Sequence, residues 1–372
     1  MKISSFSPPD RMLMGPGPSD VHHRVLHAMA RPTVGHLDPE FSQMMESLKE
    51  MLRELFQTRN KVTFPLSGPG SLGMEFCFVN LLESGDKAIV CRNGVFGLRM
   101  SENVERCGGN VIPVNDEWTK PVDPEKVKEA IRQNPEAKLV AFVHAETSTG
   151  ARTDAEAICR IAKEAGMLTV VDVVTSLAGI PVKVDEWQID AAYSGTQKCL
   201  SCTPGISPVT FSEDAVSIVK QRKRKVQNWF LDLQQLLSYW DGSSGRTYHH
   251  TAPVNALYGL HESLVMVLEE GLQAVFQRHE KAYLQLKKGL QKLGIEYAVE
   301  EEYCLYPLNA VKIPKGIDEA GIRKKLLLEY GIEIGAGLGA FAGKIWRIGL
   351  MGNSAREKNV LRLLSALSEV LV

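Results

Sequence analysis

Three short stretches carry residue types that can do chemistry together. The first is Ser67-Gly68-Pro69-Gly70-Ser71, which follows the apolar run Val62–Leu66 and precedes the helical pattern Leu72–Leu82. A glycine- and serine-rich turn feeding a helix offers free backbone N–H groups and the positive end of the helix dipole, so it can cradle a phosphate. It is neither G-x-G-x-x-G nor G-x-x-x-x-G-K-[ST], which argues against a nucleoside triphosphate. The plain alternative is an ordinary tight turn. The second is Asp172, which closes the apolar run Leu168–Val171. A carboxylate at the end of a buried strand is costly unless paired. It is a helix cap, a structural ion pair, or the partner of a ring nitrogen that must stay protonated. The third is Lys198, which follows Ala191–Gly195 and Thr196-Gln197. Lysine is rarely buried, and a desolvated lysine amine loses its proton and attacks aldehydes. The competing reading is an exposed lysine on a loop.

Each stretch alone has an everyday explanation. Together they match the three needs of pyridoxal 5′-phosphate (PLP). Its phosphate must be anchored, its pyridine nitrogen needs an aspartate to stay cationic so that the ring is an electron sink, and its aldehyde needs a lysine with which to form an imine.

These residues must be carried by elements that converge. Apolar runs at Val62–Leu66, Lys87–Cys91, Asn110–Val114, Lys138–His144, Leu168–Asp172, Ala191–Ser194 and Ser207–Phe211 alternate with helical patterns at Leu72–Leu82, Leu98–Cys107, Pro124–Gln133 and Ala155–Ala165. Such alternation predicts βαβ crossovers and a mostly parallel, buried sheet of seven strands. Asp123-Pro124 reads as an N-cap with proline in the first turn, and Gly166 as a helix stop. Ligands of such sheets lie beyond the carboxyl ends of the strands, where all three stretches fall. From about Pro253 the pattern changes to two long helices, Ala256–Val275 and His279–Leu293. Then come Ala310–Ile313, a helix over Glu319–Tyr330, the run Ile332–Ile334, a strand Lys344–Leu350 and a last helix Ala355–Leu371. The expected organisation is an N-terminal arm (1–20), a large α/β domain (21–270) and a small C-terminal α+β domain (271–372), with the boundary near Gly271.

Composition narrows the classes. With 43 basic and 44 acidic residues the formal net charge is −1, so no charge excess points to nucleic acid or an anionic membrane. The run Lys220-Gln221-Arg222-Lys223-Arg224-Lys225 reads as a solvated helix end. No stretch reaches the ~20 apolar residues of a membrane span, and the N-terminus lacks a signal core. Seven cysteines without a framework of spacings read as reduced thiols, so a cytoplasmic location is expected. Cys199-Leu200-Ser201-Cys202 has C-x-x-C spacing, but a zinc site wants a second pair and a redox motif wants to open a helix, whereas Thr203-Pro204-Gly205 follows. No metal is expected.

The sequence resembles the alanine–glyoxylate and serine–pyruvate aminotransferases, in the class V group of fold-type I PLP enzymes. The resemblance spans nearly the whole chain. It rests on Leu13-Met14-Gly15-Pro16-Gly17-Pro18, Phe56-Gln57-Thr58-Arg59-Asn60, Ser67-Gly68-Pro69-Gly70, His144-Ala145-Glu146-Thr147-Ser148-Thr149-Gly150, Tyr193-Ser194-Gly195-Thr196-Gln197-Lys198, Tyr248-His249-His250-Thr251 and Arg347-Ile348-Gly349-Leu350-Met351-Gly352. It implies an imine at Lys198 and pairing of Asp172 with the pyridine nitrogen. Phe96 would stack on the ring where the family often has tryptophan. Pro69, Gly70, Ser71 and Gln197 would hold the phosphate, with Ser71 standing where mammalian relatives have histidine, and Thr147 would lie near the ring hydroxyl. Tyr248 and Thr251 would reach the phosphate in a neighbouring subunit, which makes the site complete only in a homodimer, with the N-terminal arm draped over the partner. Arg347 would take the substrate carboxylate as a bidentate fork.

The implied reaction is ping-pong amino transfer with Lys198 as both base and acid. A dicarboxylate usually wants two cations, and Arg347 is the one strong candidate, with Arg31 and Arg246 as possible seconds. That favours alanine, serine or glycine as donor and glyoxylate or pyruvate as acceptor. Two alternatives stand beside it. One is ureidoglycine–glyoxylate transamination: departures expected of that group at the cradle and around Gly35-His36-Leu37-Asp38 are not evident, while Asn255 keeps the option open. The other is elimination by a desulfurase-like lyase, which needs a mobile cysteine. Cys304 is the loop candidate for that role, although Tyr303 and Leu305 around it look like strand.

Overall fold

The computed structural model describes residues 4–241 and 246–371. Seven strands form the large sheet: β1 (Val62–Ser67), β2 (Lys87–Arg92), β3 (Asn110–Asn115), β4 (Leu139–Val143), β5 (Leu168–Asp172), β6 (Ala191–Tyr193) and β7 (Ile206–Phe211), in the order β1-β7-β6-β5-β4-β2-β3. The β2–β3, β2–β4, β4–β5 and β5–β6 pairs are parallel, and β7 alone runs antiparallel between β6 and β1. The expected mostly parallel sheet is therefore present. Strands β4, β5 and β7 are almost wholly buried, as continuous apolar runs covered on both faces must be.

Twelve helices are seen among the described residues. Two of them, α1 (His23–Met29) and α2 (Pro39–Phe56), precede the sheet and were not anticipated. Helix α2 buries Phe41, Met45, Leu48, Leu52 and Leu55, a helical repeat, and Asp38 caps it with Pro39 in the first turn. Helices α3 (Gly70–Leu81), α4 (Val95–Arg106), α5 (Pro124–Gln133) and α6 (Ala155–Glu164) lie where the periodicity put them, the first two starting two or three residues earlier. Asp123 and Asp154 accept from backbone N–H groups in the first turns of α5 and α6. Helices α7 (Glu213–Lys220) and α8 (Leu233–Trp240) follow β7. Then α9 (Val254–Glu270) and α10 (Leu272–Lys292) meet at Gly271, whose φ of 84° breaks what is otherwise one long helix.

A second apolar cluster contains Met12, Met14, Ala151 and residues from Ala282 to Val370. It packs α10, α11 (Glu319–Glu329) and α12 (Glu357–Val370) against a three-stranded antiparallel sheet of β8 (Leu308–Lys312), β9 (Gly335–Ala336) and β10 (Ile345–Gly349). The N-terminal segment is tied to this unit within its own chain. Met12–Leu13 pairs in parallel with Ile332–Glu333, and Gly349 N donates to Met14 O. Residues 4–10 are exposed.

Candidate active site

Strand β5 ends on Asp172, which the parallel register places beside Val143 on one side and Tyr193 on the other. Asp172 is buried. Its Oδ2 accepts from the Tyr193 hydroxyl at 2.7 Å and its Oδ1 from Val174 N at 2.9 Å. Burial pushes the carboxyl up to about 6, with the Tyr193 bond opposing.

Lys198 lies five residues beyond the end of β6. Thr196 anchors that turn through Thr196 N to Ile206 O and Thr196 Oγ1 to Thr203 O. Lys198 is buried, with 9% of its surface exposed, which decides against a loop lysine in water. Desolvation, helped by the positive field of Arg347, lowers its amine to about 8. The N-terminal segment closes over it. Lys198 Nζ donates to Pro16 O, Ser19 Oγ donates to Lys198 O at 2.6 Å, and Ser19 N to Gln197 O at 2.9 Å. A Cβ on Gly17 would come within 2.5 Å of Lys198 Nζ, and Gly17 has φ +112°, so any other residue there would be strained and would displace the amine.

Gly70, Ser71, Phe96, Thr147, Asp172, Gln197 and Lys198 line one cavity of about 190 Å³, walled also by Met74, Val143, Ala145 and Val174. Four larger clefts, of about 360 to 830 Å³, contain neither Lys198 nor Asp172. Pro69 sits just outside as the N-cap of α3, which has no side-chain cap. A Cβ on Gly70 would approach Ser194 O and Val174 Cγ2 at 3.3 Å, so the backbone of β6 and its following turn crowds this end of the helix.

Arg347, on β10, is not in the cavity lining itself but bonds to the backbone of Thr147, which is. It is buried, its Nε donates to Ala336 O at 2.7 Å and its Nη1 to Thr147 O at 3.2 Å, while Nη2 has no protein acceptor among the described residues. Burial brings its guanidinium down to about 10, and the charge of Glu146 works against that fall. Glu146 is itself fully buried and raised by desolvation to about 7.

Tyr248 and Thr251 do not line this cavity. Tyr248 is 64% exposed, and its hydroxyl lies 3.4 Å from Thr251 Oγ1. The histidines between them are anchored: His250 Nε2 lies 2.8 Å from Ser67 Oγ, and His249 stacks on Trp229 at 4.5 Å between ring centroids. Arg31 is exposed and Arg246 is paired with Glu46, so neither is the second cation of the cavity. Arg99 is an arginine that the sequence reading missed: it lines the cavity with its guanidinium 5.0 Å from the Phe96 ring. Its position one helical turn after Phe96 was the available signal. Tyr193 was also unassigned, since only the pairing of β5 with β6 brings it to Asp172. Asn255 is spent on Met29 O, Arg31 O and Thr33 Oγ1. Cys304 is buried outside the cavity, bonded to Val299 O, and burial raises its thiol. Burial raises Cys199 to about 12 and Cys202 to about 11.

The residues present fit PLP. An uncapped helix end meets a phosphate, a buried carboxylate a pyridine nitrogen, and a desolvated amine an aldehyde, while the buried amide oxygen of Gln197 has no partner of its own. Comparison with known proteins agrees. The family model of class-V aminotransferases matches residues 17–360. The chain is 39% identical to the (S)-ureidoglycine–glyoxylate transaminase of Bacillus subtilis, over 98% of this chain and 91% of that one. It is 36% identical to the alanine–glyoxylate aminotransferase of Drosophila melanogaster, over 98% and 93%. The crystal structure of alanine–glyoxylate aminotransferase from Nostoc sp. superposes with a TM-score of 0.98 at 42% identity, covering 100% of this chain and 98% of that one. A cysteine desulfurase from Thermococcus onnurineus shares only the fold, at 14% identity and a TM-score of 0.75. The buried Lys198–Asp172 pair, the uncapped end of α3 and these full-length matches agree that the chain belongs to the class-V aminotransferase family, whose cofactor is PLP.

Proposed function

We propose that this aminotransferase moves the amino group of alanine, serine or glycine to glyoxylate or pyruvate. The observation that carries the reading is Arg347. It is a buried guanidinium with one unspent nitrogen, close enough for its charge to lower the Lys198 amine, and suits one carboxylate on a small substrate. The bound cofactor supplies an electron sink for the carbanion at the substrate Cα. The chain's own residues do the rest. Asp172 would hold the ring nitrogen protonated, with Tyr193 keeping the carboxylate in place. Lys198 Nζ, desolvated and neutral near pH 8, would be the base that takes the Cα proton and the acid that gives a proton back. Arg347 orients the carboxylate so that the Cα–H bond faces Lys198, and the Pro16–Gly17 backbone limits water around the amine.

The exposed Tyr248–Thr251 pair, held out by His249 and His250, supports a second part of the reading. In a homodimer these hydroxyls complete the phosphate site of the neighbouring subunit, and a location in the cytoplasm fits seven unpaired cysteines.

Ureidoglycine as amino donor is the second reading. Arg99 favours it, because a second guanidinium at the cavity gives a longer, polar donor something to meet. A panel of alanine, serine, glycine, glutamate and ureidoglycine against glyoxylate, pyruvate and 2-oxoglutarate tests the choice. The expected result is highest kcat/KM for alanine, serine or glycine with glyoxylate or pyruvate. Faster turnover with ureidoglycine or glutamate overturns it.

A further inference from the structure

Helix α4 starts at Val95 after Gly94, a residue with no side chain to cap it. Its first N–H groups are satisfied from a distant part of the chain. Val95 N donates to Ser148 Oγ at 2.9 Å, and Phe96 N donates to Glu146 Oε2 at 3.2 Å. Ser148 in turn donates twice to Glu146 Oε1, from its N at 3.0 Å and its Oγ at 2.6 Å. Glu146 and Ser148 are both completely buried. The fit is close: a Cβ on Gly94 would come within 2.4 Å of Glu146 Cδ and 2.6 Å of Ser148 Oγ. The residue between them, Thr147, accepts from Arg347 Nη1.

A fully buried carboxylate is costly, so three hydrogen bonds converging on the Glu146 carboxylate need a use. Phe96 is the second residue of α4, and its ring lines the cavity. One segment therefore grips both the ring-bearing helix and the arginine that faces Lys198. We propose that Glu146, acting through Ser148, is a positioning residue that caps α4 in trans and fixes the Phe96 ring relative to Arg347. The inference rests on Phe96 as the stacking ring and Arg347 as the carboxylate site. The charged groups around Glu146 are Asp172 and Arg347, with the Tyr193 hydroxyl beyond Asp172. None of them supplies the missing cap, because α4 takes its first two bonds from Ser148 and Glu146.

The test compares E146Q, S148A and D154A. E146Q keeps the shape but replaces one acceptor with a donor, so one charge-assisted bond is lost. PLP affinity, read by absorbance titration of the apoprotein, falls about tenfold. The KM for the oxo acid rises in parallel, while kcat moves less than KM. S148A shifts the same quantities in the same direction by a few-fold. D154A removes the ordinary cap of α6 (Asp154 Oδ1 to Ala157 N, 3.0 Å). It lowers the melting temperature comparably but leaves PLP affinity within about twofold, as a purely local cap should. Wild-type-like PLP affinity in E146Q, or an equal loss in D154A, overturns the inference. Should E146Q fail to fold, S148A against D154A decides by the same criterion. A wild-type protein that takes up no PLP at all sinks the cofactor reading instead, which keeps the two failures apart.

Discussion

The carboxyl edge of the large sheet and the segment from Arg246 to Thr251 both hold candidate site residues, and they are built in opposite ways. At the sheet edge Asp172, Tyr193 and Lys198, joined by Arg347 from the small sheet, are buried and bonded into place before any ligand arrives. In the segment, Tyr248 and Thr251 stand exposed, and among the described residues their hydroxyls are hydrogen-bonded to each other alone, although the histidines between them are fixed to Ser67 and Trp229. The lesson is one of division. The groups proposed to handle protons sit where burial moves their pKa values, and the groups proposed for a neighbour's phosphate stand exposed.

The contrast is broken most sharply at its buried end. Asp172→Asn removes the charge that keeps a ring nitrogen protonated, and kcat is expected to fall by on the order of 10²-fold or more. A loss under threefold would mean that the buried aspartate is only structural. Arg347→Gln follows. Losing a charged contact to the substrate carboxylate raises KM for both the amino and the oxo acid by about 10 to 100-fold. An unchanged KM would remove Arg347 from the carboxylate site.

The pH dependence of cofactor uptake sharpens the same end. An ordinary lysine stays protonated to about 10.4, whereas desolvation brings Lys198 to about 8. Attack on an aldehyde needs the neutral amine. The rate of PLP capture by the apoprotein should therefore climb about tenfold per pH unit below 8 and level off above it. A rate still climbing at pH 10 would contradict a desolvated amine. The smallest effect is at the exposed end. Tyr248→Phe should weaken PLP binding by a few-fold, and only at protein concentrations where sedimentation shows dimers. A defect that persists in dilute monomer would place Tyr248 in its own chain's site.

Much of this arrangement is legible in the sequence, because the large sheet is local in character. The strands read as apolar runs and the crossovers α5 and α6 carry their own aspartate caps, so Asp172 and Lys198 could be put at strand ends without any knowledge of neighbours. What escaped depends on contacts distant along the chain. Tyr193 became a partner of Asp172 only through the pairing of β5 with β6. The Pro16–Gly17 lid lies about 180 residues from Lys198. Glu146 caps a helix that begins 51 residues earlier, and Gly94 gave no hint of that, being a cap with no side chain. Strand β7 reads like its neighbours because an apolar run carries no direction; the sheet alone shows it antiparallel. Helix α2 is a different case, since its repeat of Phe41, Met45, Leu48, Leu52 and Leu55 was open to reading.

The central claim is that Lys198 is the residue that carries PLP, and reduction tests it most directly. Borohydride treatment of the purified holoprotein, followed by digestion and mass spectrometry, should find a phosphopyridoxyl group on the peptide containing Lys198 and on no other lysine. A colourless protein that takes up no PLP, or a label fixed on another lysine, would contradict the account.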